Sequence, residues 1–201
     1  MRSDIPHAHP TTPSRPTKPW VDPASLPNHG DISSITGNAA DYIKQLNLNT
    51  YISYGVGTED TFGYKVGKAV KFVDISVDCK EERKGRLEAT TVAELIVTKD
   101  MLNGAGMLHG GCVAYLVDNC CSTPLVVMGL VQKVNGVGVT QSMNVLFHAP
   151  APIGTCLRIT STSIALGGRV MTSRCEVTDK DTGRIIASAF LNKMQPAISK
   201  L

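Results

Sequence analysis

The sequence predicts an α+β domain in which a curved antiparallel sheet wraps one long central helix. Three observations predict it. Apolar residues alternate with polar ones, or cluster with β-branched residues, in six stretches of strand length. One further stretch carries a wide apolar stripe at helical spacing. That helix falls after the second strand and before the last four, so strands and helix are segregated rather than alternating.

The elements follow in order. Seven of the eleven prolines stand at Pro6, Pro10, Pro13, Pro16, Pro19, Pro23 and Pro27. That density forbids helix and sheet ladders, so residues 1–35 read as a disordered proline-rich tail with Trp20 laid on the domain surface. The regular spacing fits either an inert linker or a polyproline ligand for a partner domain. Residues 36–60 form a short helical extension: Ala40, Ile43, Leu46 and Leu48 recur near helical spacing after Asn38, a residue type that caps helices.

The main domain is expected over residues 61–196. KFVDISVDC and RLEATTVAELIV, joined by the charged segment KEERKG, make an antiparallel hairpin. The glycine-rich NGAGMLHGG leads into CVAYLVDNCCSTPLVVMG, whose Val113, Leu116, Val117, Cys120, Leu125 and Met128 form the apolar stripe of the buried helix. Pro124 cannot donate to the carbonyl of Cys120, so a bend is expected there, widening a slot lined by Leu125, Val126 and Met128. The strands VGVTQSMNVLFH, CLRITSTSIAL, RVMTSRCEVTD and RIIASAFLNKM follow, separated by turn sequences. This architecture is the hotdog fold. One helix covers such a sheet incompletely and leaves edges open, which predicts pairing of two sheets in a homodimer or a dimer-of-dimers tetramer.

Composition excludes several classes of function. The chain has 201 residues, 42% hydrophobic and 18% charged, with a formal net charge of +3. Its basic residues are interleaved with acids, with no basic block, so no nucleic-acid partner is expected. No apolar run approaches the length of a membrane span, so no membrane span is expected. The six cysteines show no C-x-x-C spacing; no metal and no cofactor are expected, and the thiols read as free. A cytoplasmic or mitochondrial location is expected, since Arg2, Arg15 and Lys18 lie among Asp4 and Asp22 without an amphipathic stripe or an apolar signal core.

The segment that carries chemistry is Asn103-Gly104-Ala105-Gly106-Met107-Leu108-His109-Gly110-Gly111, followed by Asp118 within the helix. With Ala114, Leu116, Val117, Asn119, Gly138-Val139-Thr140, Met143-Asn144, Phe147, Pro150, Gly154 and Thr182-Gly183, it resembles the hotdog acyl-CoA thioesterases over about residues 65–195. The likeness is to the phenylacetate-pathway subgroup and its eukaryotic relatives in the thioesterase superfamily.

Hydrolysis of a thioester needs a base for water, a donor for the oxyanion and a dry slot for the acyl group. Gly110 and Gly111 open the helix, where backbone N–H groups lack intrahelical partners and the dipole is positive. The resemblance implies that Gly110 polarises the thioester carbonyl, that Asp118 activates or positions water, that Asn103 helps to hold carbonyl or water, and that Thr140 bonds the nucleophile. Family members place serine where this chain has Thr140. His109 reads as a catalytic partner or, better, as a brace for the helix start, because no local motif places a nucleophile beside it. Gly111, Leu125 and Met128 are expected to contact substrate, and Arg169, in the turn after Gly167-Gly168, to meet coenzyme A phosphate. The expected reaction is hydrolysis of a fatty or aryl acyl-CoA. A hotdog hydratase using His109 and Asp118, and a non-catalytic acyl-CoA binder, are the alternatives.

Overall fold

The computed structural model describes residues 21–195. Its sheet comprises β1 (Lys71–Lys80), β2 (Arg86–Ile96), β3 (Val139–Phe147), β4 (Cys156–Leu166), β5 (Val170–Asp179) and β6 (Ile185–Met194). Their order is β1-β2-β4-β5-β6-β3, with every neighbouring pair antiparallel. The expected hairpin is β1–β2, closed where Lys84 and Gly85 adopt φ of 56° and 73°, a left-handed conformation that glycine accepts freely.

The central helix lies across this sheet in two pieces, α3 (Gly110–Cys120) and α4 (Thr123–Gln132). Leu116, Val117, Leu125 and Val127 are wholly buried, as are Ile75, Leu157, Ile159, Val177 and Leu191 from the strands. The expected bend is an interruption at Cys121–Ser122, just ahead of Pro124. The carbonyl that Pro124 cannot serve accepts from Thr123 Oγ1 at 2.7 Å, and Ser122 Oγ donates to the carbonyl of Asp118 at 2.5 Å. Pro124 then falls in the first turn of α4, where a missing N–H costs nothing.

One expectation needs correction here. Gly110–Gln132 is by length and composition apolar enough to cross a membrane. About two thirds of its most apolar window is buried inside the domain, however, as the stripe of a core helix must be.

The N-terminal region differs from its reading. Pro6 to Pro19 and Trp20 lie outside the described residues. Residues 21–35, assigned by proline density to a tail, instead run across the domain. Val21 is buried against Val126 and Val137, the His29 N–H donates to Asn49 Oδ1 at 2.9 Å, and Asn49 Nδ2 donates to Asn28 Oδ1 at 2.9 Å. Proline blocks ladder hydrogen bonds but not side-chain docking, which is why its density misplaced the boundary.

Asn38 does not cap the extra helix. Its side chain exchanges hydrogen bonds with Val77, accepting at 2.7 Å and donating at 3.0 Å, and so covers the β1 edge. The helix α1 (Asp41–Thr50) starts after Ala40, continues as a π-helical turn over Tyr51–Val56, and is followed by α2 (Tyr64–Ala69). At the opposite edge β3 is open, with Val139, Leu146 and Phe147 exposed and Phe190 of β6 beside them.

Candidate active site

On α3 and just beyond it, Gly111, Ala114, Tyr115, Asp118, Asn119 and Ser122 recur at three- and four-residue spacing and so share one helix face. That face borders two cavities that meet at Asp118. The first, about 480 Å³, lies between Gly111, Ala114 and Tyr115 and the segment carrying Tyr54, Thr61 and Phe62, with Thr140 and Met143 of β3 as its floor. The second, about 290 Å³, runs from Asp118 and Thr140 past Ser122 and Thr123 to Val126, Val137 and Lys193, with Tyr51 and Tyr54 along one side.

The structure brings Thr140 to the acid, where the resemblance implied a bond to the nucleophile: Thr140 Oγ1 donates to Asp118 Oδ1 at 2.5 Å. The bond orients one carboxylate oxygen. The aromatic wall is held by Tyr115, whose hydroxyl donates to the carbonyl of Gly55 at 2.7 Å. Burial, then the neighbouring Cys120, Cys112 and Asp118, raise the Tyr115 phenol above its ordinary range, so it stays a donor. Gly55 permits that approach, because a β-carbon there would stand 2.7 Å from Asn119 Oδ1.

At the other end of α3, His109 is the N-cap, its Nδ1 accepting from the Gly111 N–H at 2.8 Å. This is the bracing geometry, and in a neutral ring it assigns the proton to Nε2. It also engages one of the two glycine N–H groups, leaving Gly110 as the donor of the pair that faces outward next to Phe147; an added β-carbon at Gly110 would meet that ring at 3.5 Å. Asn103 folds its own loop, Oδ1 accepting from Ala105 N–H at 2.9 Å and Met107 N–H at 3.2 Å. Within one chain, therefore, neither Gly110, nor Asn103, nor His109 lines the cavities at Asp118.

Three expected substrate contacts are placed elsewhere. Leu125 and Met128 are 0% and 2% exposed and border neither cavity, whereas Val126 of the same helix borders the second. Arg169 is exposed in the β4–β5 turn, on neither cavity. Gly111 does border the first cavity.

Among the described residues no group of three or more His, Cys, Asp and Glu is arranged to hold a metal ion. Cys120 and Cys121 are buried in the core, and burial, with Asp100, pushes the Cys112 thiol up to about 11, so none is poised as a nucleophile.

The residues not foreseen are Tyr54, Thr61, Phe62, Ser122 and Lys193. Lys193 had a signal: Ala187, Ala189 and Leu191 alternate inward along β6, and the next inward position is Lys193. Tyr54 and Phe62 had none, since their approach to α3 depends on how the π-helical turn and the loop after it pack on the domain.

Six antiparallel strands wrapped on one central helix, with an acid of that helix bound to a strand hydroxyl, define a hotdog-fold protein. The sequence model of the thioesterase superfamily matches residues 105–186 of the chain. The chain is 32% identical over 96 residues to human acyl-coenzyme A thioesterase 13, an alignment covering 48% of this chain and 66%, just under two thirds, of that protein. The mouse thioesterase superfamily member 2 structure superposes with a TM-score of 0.54 at 27% identity, over 68% of this chain and 90% of that one. The zebrafish member 2 structure has a TM-score of 0.59 at 22% identity, over 73% and 94%, a likeness of fold.

Proposed function

We propose that the chain is an acyl-CoA thioesterase that hydrolyses a fatty or aryl acyl-CoA to the free acid and coenzyme A. The observation that carries this reading is the Thr140–Asp118 hydrogen bond at the junction of two cavities, one bordered by the glycine-opened end of the same helix. Asp118 takes a proton from water as the water oxygen bonds to the thioester carbon. The carbonyl electrons move onto oxygen, which the Gly110 N–H stabilises at the positive end of α3. Collapse breaks the C–S bond and returns the proton to the leaving thiolate.

Gly110 and Asp118 are eight residues apart on α3, about 12 Å along the axis at about 1.5 Å per residue. One carbonyl and its attacking water, which meet at about 3 to 3.5 Å, do not reach both from one chain. The open β3 edge and its exposed Val139, Leu146 and Phe147 support a homodimer that brings Gly110 of one protomer to Asp118 of the other. The second cavity, with Val126 and Val137 at its far end, serves as the acyl slot. A hydratase would need His109 as an acid–base group on the substrate, whereas its Nδ1 is engaged here as the cap of α3. The test is release of free thiol from acyl-CoAs of increasing chain length, with no release from any member of the panel overturning the reading.

A further inference from the structure

The second cavity holds a charged group that the reaction above does not use. Lys193 is the register partner of Thr140 across the β3–β6 pair, one step from an irregularity between Thr140 and Ser142, so both side chains lie on the helix-facing side of the sheet. Its Nζ donates to Ser122 Oγ at 2.8 Å, and Ser122 Oγ in turn donates to the main-chain carbonyl of Asp118 at 2.5 Å. Asp118 is thus held at its main-chain carbonyl by a chain of donors that begins at the ammonium, and separately at its carboxylate by Thr140.

We propose that Lys193 is a positioning residue for Asp118: held by Ser122 and set beside Thr140, its ammonium is coupled to the general base and keeps it aimed when an acyl chain has displaced water from the slot. The inference rests on the thioesterase reading and adds to it a residue that neither touches the thioester nor belongs to the glycine-opened helix. An ammonium set into an apolar slot is costly unless another charge compensates it. Burial lowers the Lys193 pKa, while Asp118 and Cys121 oppose the fall. The other titratable groups around the pair are Tyr51 and Tyr54 from the preceding helical turn and Tyr115 from α3. A carboxylate beside a fixed cation in a drying site resists the protonation that desolvation favours, and coupling of this kind is reciprocal between the two groups.

Lys193→Met keeps the stem and removes the charge; Lys193→Arg keeps the charge. Lys193→Met is expected to fold, with a melting temperature close to that of the parent, since Lys193 is half-buried and only its contact to Ser122 is lost. Its kcat at neutral pH should fall about tenfold or more with KM within about twofold, and the acid limb of its kcat–pH profile should move to higher pH, the Arg variant restoring the limb. The reciprocal measurement follows the Lys193 Cε resonance by NMR: in Asp118→Asn it should titrate at lower pH than in the parent. A folded Lys193→Met with the parent's kcat and pH profile, a change in KM alone, or an unmoved Lys193 titration in Asp118→Asn overturns the proposal. Should the parent protein release no thiol from any acyl-CoA, the proposed function fails, and the Lys193 titration still decides whether the two groups are coupled.

Discussion

Thr140 Oγ1 donates to Asp118 Oδ1 at 2.5 Å, tying an open edge strand to the central helix. The strand whose outer edge is open therefore also orients the carboxylate. The threonine methyl adds stiffness at χ1 that a serine lacks.

Replacement at position 140 separates hydroxyl from shape. Thr140→Ser is expected to keep kcat within about threefold, and Thr140→Val, isosteric without a donor, to lose at least about tenfold, the scale of a hydrogen bond to a charged group. Steady-state hydrolysis of one good acyl-CoA decides it: equal rates for the valine and serine variants would remove Thr140 from the mechanism.

Asp118→Asn retains size and can still accept from Thr140 but cannot take a proton. Loss of at least about a hundredfold in kcat, with an unchanged fold by circular dichroism and unchanged oligomer mass, is expected. Undiminished turnover in a properly folded protein is incompatible with Asp118 as the base.

The composite site makes a counting prediction. Asp118→Ala and Gly110→Pro proteins should each be inactive, proline at the first helical position removing the N–H without breaking the helix. After joint dissociation and random reassociation, each mixed dimer regains one intact site, so about a quarter of wild-type activity should return. Mixed dimers shown by mass to form, yet without activity, would place both residues in a single chain's site.

Truncation locates the functional boundary of the N-terminal segment. Removal of residues 1–30 deletes Val21, which backs Val126 and Val137 at the end of the acyl slot, and the bonds from Asn28 and His29 to Asn49. Burial of a valine stabilises by roughly 1.5–3 kcal/mol, so the melting temperature should fall by about 3–12 °C and KM for the longer acyl-CoAs should rise. Removal of residues 1–20 alone spares all of these contacts and is expected to change neither. Identical melting curves for the two truncations would show that the docking of residues 21–30 contributes no stability.

By itself the sequence determined the layers. Period-two alternation fixed six strands and the β1–β2 hairpin, the apolar stripe fixed the central helix, and Pro124 fixed the place of its interruption, because each is a local consequence of backbone geometry. It also singled out Asp118 and Thr140, a charged and a hydroxylic side chain on elements otherwise built to be buried. Tertiary structure alone decided what lies within reach of them. The pairing of β3 with β6 set Lys193 beside Thr140, fifty-three positions away in the chain. Of Leu125, Val126 and Met128, packing left only Val126 on the slot, and the π-helical turn and the loop after it carried Tyr54 and Phe62 to the cavity beside α3. Residues 21–35 were misread for the same reason: composition reports what a segment cannot do by itself, and Val21 is held by partners more than a hundred positions further along, which no local pattern records.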